Sequence, residues 1–110
     1  TGAGQGIGLE ICRRLAKGGA KVILNDIDAE LTKKASEIIR SENGICIPLA
    51  GDSSSQEVIT QLVGVAVTHF GKLDVAIANA GITLYGDFFT YTAEAFYRVM
   101  QVNLAGTFFL

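Results

Sequence analysis

The sequence predicts a doubly wound α/β fold on a parallel sheet. Three observations predict it. A glycine-rich loop, Thr1 to Gly8, leads directly into a helical pattern. Behind it, short apolar runs alternate with longer stretches of helical periodicity. Asp26 closes the first of these runs and Asn79 follows the last, at the carboxyl ends of strands where open α/β sheets take ligands.

Each element has its own justification. In the first helix Ile7, Ile11 and Leu15 fall at i, i+4 and i+8, with Cys12 beside them, and Gly18-Gly19 ends it. Lys21–Asn25 is a short apolar run of the kind buried in parallel sheets. Asp28 can cap a second helix over about Ala29–Glu42, with Leu31, Ala35, Ile38 and Ile39 as its apolar face. Asn43-Gly44 closes it. Ile45–Ala50 is a second strand, and Pro48 places it at or near a sheet edge because proline donates no ladder bond. Ser53–Glu57 offers a capping box, Ser53 with Gln56 or Ser54 with Glu57. The helix it opens shows Ile59, Leu62, Val63, Ala66, Val67 and Phe70 on one face and ends at Gly71. Val75–Ala78 is a further strand, expected to be buried on both faces. A loop of aromatics and threonines follows, and Thr92 caps a last helix carrying Phe96, Val99, Met100, Asn103 and Leu104.

Composition bounds the function. At 110 residues there is at most one domain, and 49% hydrophobic with 18% charged residues is a globular balance. A net charge of -2 gives no support to nucleic-acid or anionic-membrane binding. Glu10 with Arg14, and Glu30 with Lys34, read as helix-surface pairs. No apolar run reaches membrane-span length, and no signal peptide is visible. Cys12 and Cys46 lack CxxC spacing and read as buried, reduced thiols, which fits a cytoplasmic protein. One histidine, His69 at a helix end, gives no metal-site signal. The loop at Thr1 normally follows a buried strand, and the chain has no initiating Met. It is therefore expected to be a piece of a longer protein, and by itself not to fold cooperatively.

Four motifs carry chemistry. The loop fits T-G-x-x-x-G-x-G, with Gly2, Gly6 and Gly8. Such a loop presents backbone N–H groups and a helix dipole to a phosphate, although the same glycines also suit a tightly packed helix start that binds nothing. Asp26 ends the first strand 24 residues after Gly2. A carboxylate there can accept from an adenosine ribose and repel a 2′-phosphate; the plainer reading is a polar loop residue. Asn79-Ala80-Gly81 leaves room for a ligand at the end of a strand, or is a plain turn. Asn103 stands in the apolar stretch Val99–Gly106, where a buried amide needs partners and the helix is expected to bend; the alternative is a solvent-facing side chain.

With these residues in order, the chain resembles the N-terminal part of a short-chain dehydrogenase/reductase. The matches are TGAGQGIG, Asp26, Asp52 after the second strand-like run, GKLDVAIANAG and VNLAGTFFL, spread over nearly all 110 residues. The resemblance implies a Rossmann-like dinucleotide-binding domain, of which residues 1–110 are the N-terminal part, without its first strand and its C-terminal half. It implies that Gly2, Gly6, Ile7 and Gly8 hold a pyrophosphate and that Asp26 takes the ribose. Asp52 and the Ser53 backbone would meet the adenine, and Asn79, Ala80 and Gly81 would line the cleft. Asn103 would be the asparagine of an Asn-Ser-Tyr-Lys catalytic set. The family's Asn-Asn-Ala-Gly is here Ala78-Asn79-Ala80-Gly81, which should weaken strand support more than cofactor contact. No Tyr-x-x-x-Lys is present: Tyr85, Tyr91 and Tyr97 are followed four residues on by Phe89, Ala95 and Gln101.

The expected activity is hydride transfer between a nicotinamide cofactor and an alcohol or ketone carbon. With Asp26 present, and Gln5 and Ile27 where NADP-using relatives often carry a base, NAD is expected over NADP. The intact protein is expected to be a dimer or tetramer, built through the helix that starts near Thr92. Two other readings stay open: an inactive NAD-binding sensor or scaffold, and an S-adenosylmethionine-dependent methyltransferase.

Overall fold

The computed structural model describes all of residues 1–110. The elements are α1 (Gly6–Lys17), β1 (Lys21–Asp26), α2 (Ala29–Ser41), β2 (Ile45–Ala50), α3 (Gln56–Phe70) and α4 (Ala93–Met100). A π-helical turn, Gln101–Ala105, joins α4 to α5 (Gly106–Phe109). The architecture is α/β and Rossmann-like. β1 and β2 pair in parallel from Lys21 opposite Ile45 to Asp26 opposite Ala50, so both strands end together. Parallel pairing demands a crossover, and α2 supplies it.

The core lies between this pair and the helices. Leu24 is fully buried, with Val22, Cys46, Ala16, Ala35 and Ile39 around it and Leu9 and Cys12 packed against them. Gly44 closes the α2–β2 turn tightly, since a Cβ there would stand 2.8 Å from that of Ala16. Asp28 caps α2 by accepting from Leu31 N at 2.9 Å, and Thr92 caps α4 by accepting from Ala95 N at 3.2 Å. Pro48 lies on β2, whose far side has no partner strand.

Several expectations are corrected. Residues 75–78 form no strand and are not buried; Val75 is 68% exposed. A strand exists only through a ladder, and a cleft of about 450 Å³ separates this segment from the open edge of β1. Ile11, Leu15, Val22, Phe70 and Ile77 line that cleft. The helix faces are also narrower than the periodicity implies: Ile7, Leu15, Ile38 and Val67 are exposed. Thr32 and Ser36 are buried in α2 instead, their hydroxyls donating to Asp28 O and Lys33 O. No capping box opens α3. Asp52 captures the Ser54 N–H and hydroxyl in a local turn that delays the helix to Gln56. Glu10 pairs with Arg14 at 2.8 Å as expected, whereas Glu30 and Lys34 form no ion pair. Arg13 joins Glu10 and Glu42 instead, tying α1 to the end of α2. Both cysteines are free. Burial lifts the Cys46 thiol to about 11, with Cys12 beside it adding to the rise, so it is no nucleophile at neutral pH.

Candidate cofactor site

The glycine loop is built from both sides. Gly2 and Gly6 take φ of 60° and 59°, the left-handed region that glycine enters without strain. Three glycines are close-approach points. A Cβ on Gly2 would stand 2.7 Å from Ala80 Cα, one on Gly4 2.8 Å from Leu31 Cβ, and one on Gly8 2.5 Å from the Gly2 carbonyl. Gly6 is different, because nothing lies within 4 Å of its added Cβ. That open side is the start of α1. Gln5 caps it with no side-chain bond, and its first turn has no acid. The N–H groups of Gly6, Ile7 and Gly8 find no partner outside the helix, and a helix of this type has none for them inside. Ile7 is 76% exposed beside them. Unpaired N–H groups at a bare helix N-terminus, with glycine in front, fit a phosphate.

Asp26 is tied to this loop. Its Oδ2 accepts from Gly4 N at 2.9 Å and its Oδ1 from Asp28 N at 3.1 Å. Two backbone donors thus fix the carboxylate at the carboxyl end of β1, next to the exposed Ile27. The Asp26 carbonyl accepts from Gly51 N at 2.9 Å, which puts Asp52 beside it at the end of β2.

Asn79 holds the other flank. Its amide donates to the carbonyls of Thr1 and Gly2 at 3.0 and 2.9 Å. The Thr1 hydroxyl accepts from Asn79 N and Ala80 N, both at 3.2 Å. Asn79 therefore shapes the loop, and Ala80 stands against it, its Cα 2.7 Å from a Cβ added at Gly2. Beyond Gly81, Asn103 accepts from Ile82 N at 2.8 Å and donates to Ile82 O at 2.9 Å. Asn103 is exposed as a residue, contrary to the buried reading, yet both ends of its amide are used. It sits in the π-helical turn, so the expected bend is present. Both of its side-chain bonds go to the Ile82 backbone.

The predicted residues thus form one connected set. Gly4 links the loop to Asp26, Gly51 links Asp26 to Asp52, Asn79 and Ala80 grip the loop, and Asn103 grips the segment after Gly81. Three contributors were missed. Gly4 carries the link to Asp26, and its glycine in the loop was the available signal. Thr1 is the hub for Asn79 and Ala80, signalled by the T-G opening. Arg98 reaches Asp52 from α4 at 3.1 Å, and a lone arginine on a helix gives no signal in sequence.

Asp52 titrates below its ordinary value of 3.8. Burial pushes the carboxyl up, but bonds from Ser54 and Arg98 outweigh that. A pKa lowered on folding stabilises the fold above the unfolded value, and the contribution is lost as pH falls through the folded one. In the full-length protein, Asp52→Asn is therefore expected to remove part of the acid-induced fall in melting temperature below about pH 4. An unchanged melting profile between about pH 2 and 5 would show that the pair contributes nothing.

This constellation sits at the strand ends of a Rossmann-like α/β fold. Residues 1–110 match the short chain dehydrogenase family over their whole length, and the chain belongs to that family. It is 39% identical over 111 residues to a versicolorin reductase of Emericella nidulans, covering 100% of this chain and 42% of that protein. A Serratia marcescens short-chain dehydrogenase/reductase superposes with a TM-score of 0.91 at 29% identity, over 98% of this chain and 44% of that one. A metagenomic short-chain oxidoreductase solved in complex with NADP gives 0.90 at 29% identity, over 99% and 50%. The chain thus spans less than half the length of the curated relative it matches. No helix is long and apolar enough to cross a membrane.

Proposed function

We propose that the protein is an NAD(H)-dependent oxidoreductase acting on an alcohol or ketone carbon, and that this segment is its cofactor-binding half. The observation that carries the reading is the Asp26 carboxylate, held by Gly4 and Asp28 N–H groups beside the open N-terminus of α1. The residues fit a dinucleotide. The N–H groups at Gly6, Ile7 and Gly8 hold the pyrophosphate, Asp26 takes the ribose hydroxyls, and Asp52 with the Ser53 backbone receives the adenine. Ala80 and Gly81 leave space for the rest. The nicotinamide, when bound, supplies or accepts the hydride, while the protein orients it and handles the proton. Asn103 contributes by fixing the backbone at Ile82. The serine and the Tyr-x-x-x-Lys of the family have no counterpart in residues 1–110, so the acid–base step needs groups from outside them.

The preference for NAD rests on charge. Asp26 places a carboxylate where a 2′-phosphate would sit, and neither Gln5 nor Ile27 can neutralise it. The complex of one similar protein with NADP favours the other cofactor. The ratio of kcat/KM values for the two cofactors, measured on the full-length protein, separates the readings. We expect NAD to lead by at least about tenfold, and Asp26→Ala to erase the lead through loss of ribose contacts and of repulsion. Equal use of both cofactors by the unmodified protein would refute the NAD preference. Tighter binding of S-adenosylmethionine than of NAD would overturn the oxidoreductase reading itself.

Two further properties belong to the same proposal. Helix α4 and the turn after it leave Phe96, Tyr97, Met100 and Leu104 exposed, which supports a homo-oligomer joined through that face. The two free thiols support a cytoplasmic location.

A further inference from the structure

We propose that Arg98 is a positioning residue for the adenine end of the cofactor, acting through Asp52. The inference rests on the dinucleotide reading above. Asp52 Oδ1 accepts from Ser54 N at 2.9 Å and from the Ser54 hydroxyl at 2.7 Å. Its Oδ2 accepts from Arg98 Nη1 at 3.1 Å. A carboxylate offers roughly four acceptor positions. Three are taken, and the one left is on Oδ2. That single acceptor suits one of the two N–H donors of an adenine amino group. Ser54 alone would leave Oδ2 without a fixed partner. Arg98 fixes which side of it stays open. The pair is partly solvent-accessible, with side-chain exposures of 38% for Arg98 and 33% for Asp52, so a ligand can reach it.

The same contact fixes a helix. Arg98–Asp52 is the ion pair that joins α4 to the rest of the chain. Eight residues further on, Gly106 meets the same turn, where a Cβ would stand 3.2 Å from the Ser53 carbonyl. Between these two points lies the π-helical turn with Asn103 on Ile82. The helical run is thus held at two points, Arg98 and Gly106, on residues 52–54, with Asn103 between. Removing Arg98 frees the Asp52 carboxylate and one of these two points. Asn103 keeps its own two bonds to Ile82, so the loss falls first on cofactor affinity and only weakly on turnover.

The test uses the full-length protein and two probes: NAD, and nicotinamide mononucleotide, which has the same reactive ring and no adenine. Arg98→Met is expected to raise the Kd and KM for NAD about tenfold, leave kcat within about threefold, and leave mononucleotide affinity unchanged. Arg98→Lys, which keeps the charge on a differently shaped donor, should recover part of the loss. It also serves as the measurement if the Met variant does not fold. Asp52→Asn combined with Arg98→Met should bind NAD no more weakly than the weaker single variant, because both act on one contact. Equal weakening of both probes would mean a general structural role and would overturn the proposal. So would an unchanged Kd for NAD in Arg98→Met and Arg98→Lys. Failure of the unmodified protein to bind any nicotinamide dinucleotide would remove the functional reading, and this inference with it.

Discussion

Gly8→Val is expected to abolish dinucleotide binding in the full-length protein, raising Kd more than about 100-fold, and to lower stability by about 1–3 kcal/mol. The expectation comes from what stands around Gly8. A single Cβ there would lie 2.5 Å from the Gly2 carbonyl oxygen, 2.6 Å from Asn79 Nδ2 and 2.8 Å from Ala3 Cα. Two of these atoms are themselves a hydrogen-bonded pair, Asn79 donating to Gly2 at 2.9 Å. The new carbon drives a wedge into the bond that shapes the loop. None of the three can yield cheaply: Gly2 and Ala3 are backbone, and Asn79 is pinned by its second bond to Thr1. Displaced, the loop no longer aims its N–H groups. Two other glycines are controls. Gly6→Ala has space but φ of 59°, so strain of about 1–2 kcal/mol is expected, with the methyl standing on the open ligand side. Gly64→Ala meets nothing within 4 Å inside α3 and should stabilise the helix by about 0.5–1 kcal/mol. Melting temperatures and NAD affinities of the three variants check this. Gly8→Val binding NAD as tightly as Gly64→Ala would refute the packing argument.

The contrast between legible and illegible features follows the range of the forces involved. Asp28 and Thr92 are readable as caps because a cap is settled within three residues. Asp26 is readable because the end of a short apolar run fixes where a strand-end acid must sit. The segment 75–78 has strand composition, yet a strand depends on a neighbour far away in the chain, and β1 leaves a cleft on that side. Helical periodicity gives a face but not its width. Val67 and Ile38 satisfy the period and still lie beyond what a two-stranded sheet covers. The start of α3 is misread for a different reason, since two local solutions compete. Ser54 can serve as a helix cap or satisfy Asp52, and the carboxylate takes it. Arg98 is illegible altogether. Its meaning depends on a carboxylate 46 residues away, and no local pattern marks it.

Asn103→Ala is expected to lower kcat about 100-fold while changing NAD affinity by less than about threefold. The split follows from geometry. Asn103 touches neither the glycine loop nor Asp26; its two bonds both go to Ile82. Gly81, one residue earlier, is close enough that its added Cβ would lie 3.5 Å from Asn103 Oδ1. The amide thus holds the chain just after Gly81. Alanine leaves the Ile82 N–H and carbonyl without protein partners, at a point where a mobile backbone would loosen any proton path beside it. The π-helical turn gives a second reason. It widens the helix at Gln101–Ala105, which lets Asn103 reach Ile82 while Val102 stays buried. Asn103→Asp separates the two bonds, because it can still accept from Ile82 N but sets a carboxylate against Ile82 O. An intermediate loss is therefore expected. Steady-state kinetics beside direct cofactor titration give both quantities. If kcat in Asn103→Ala stays within about threefold of the unmodified protein, the asparagine serves packing alone, and the catalytic role that the resemblance implies for it is lost.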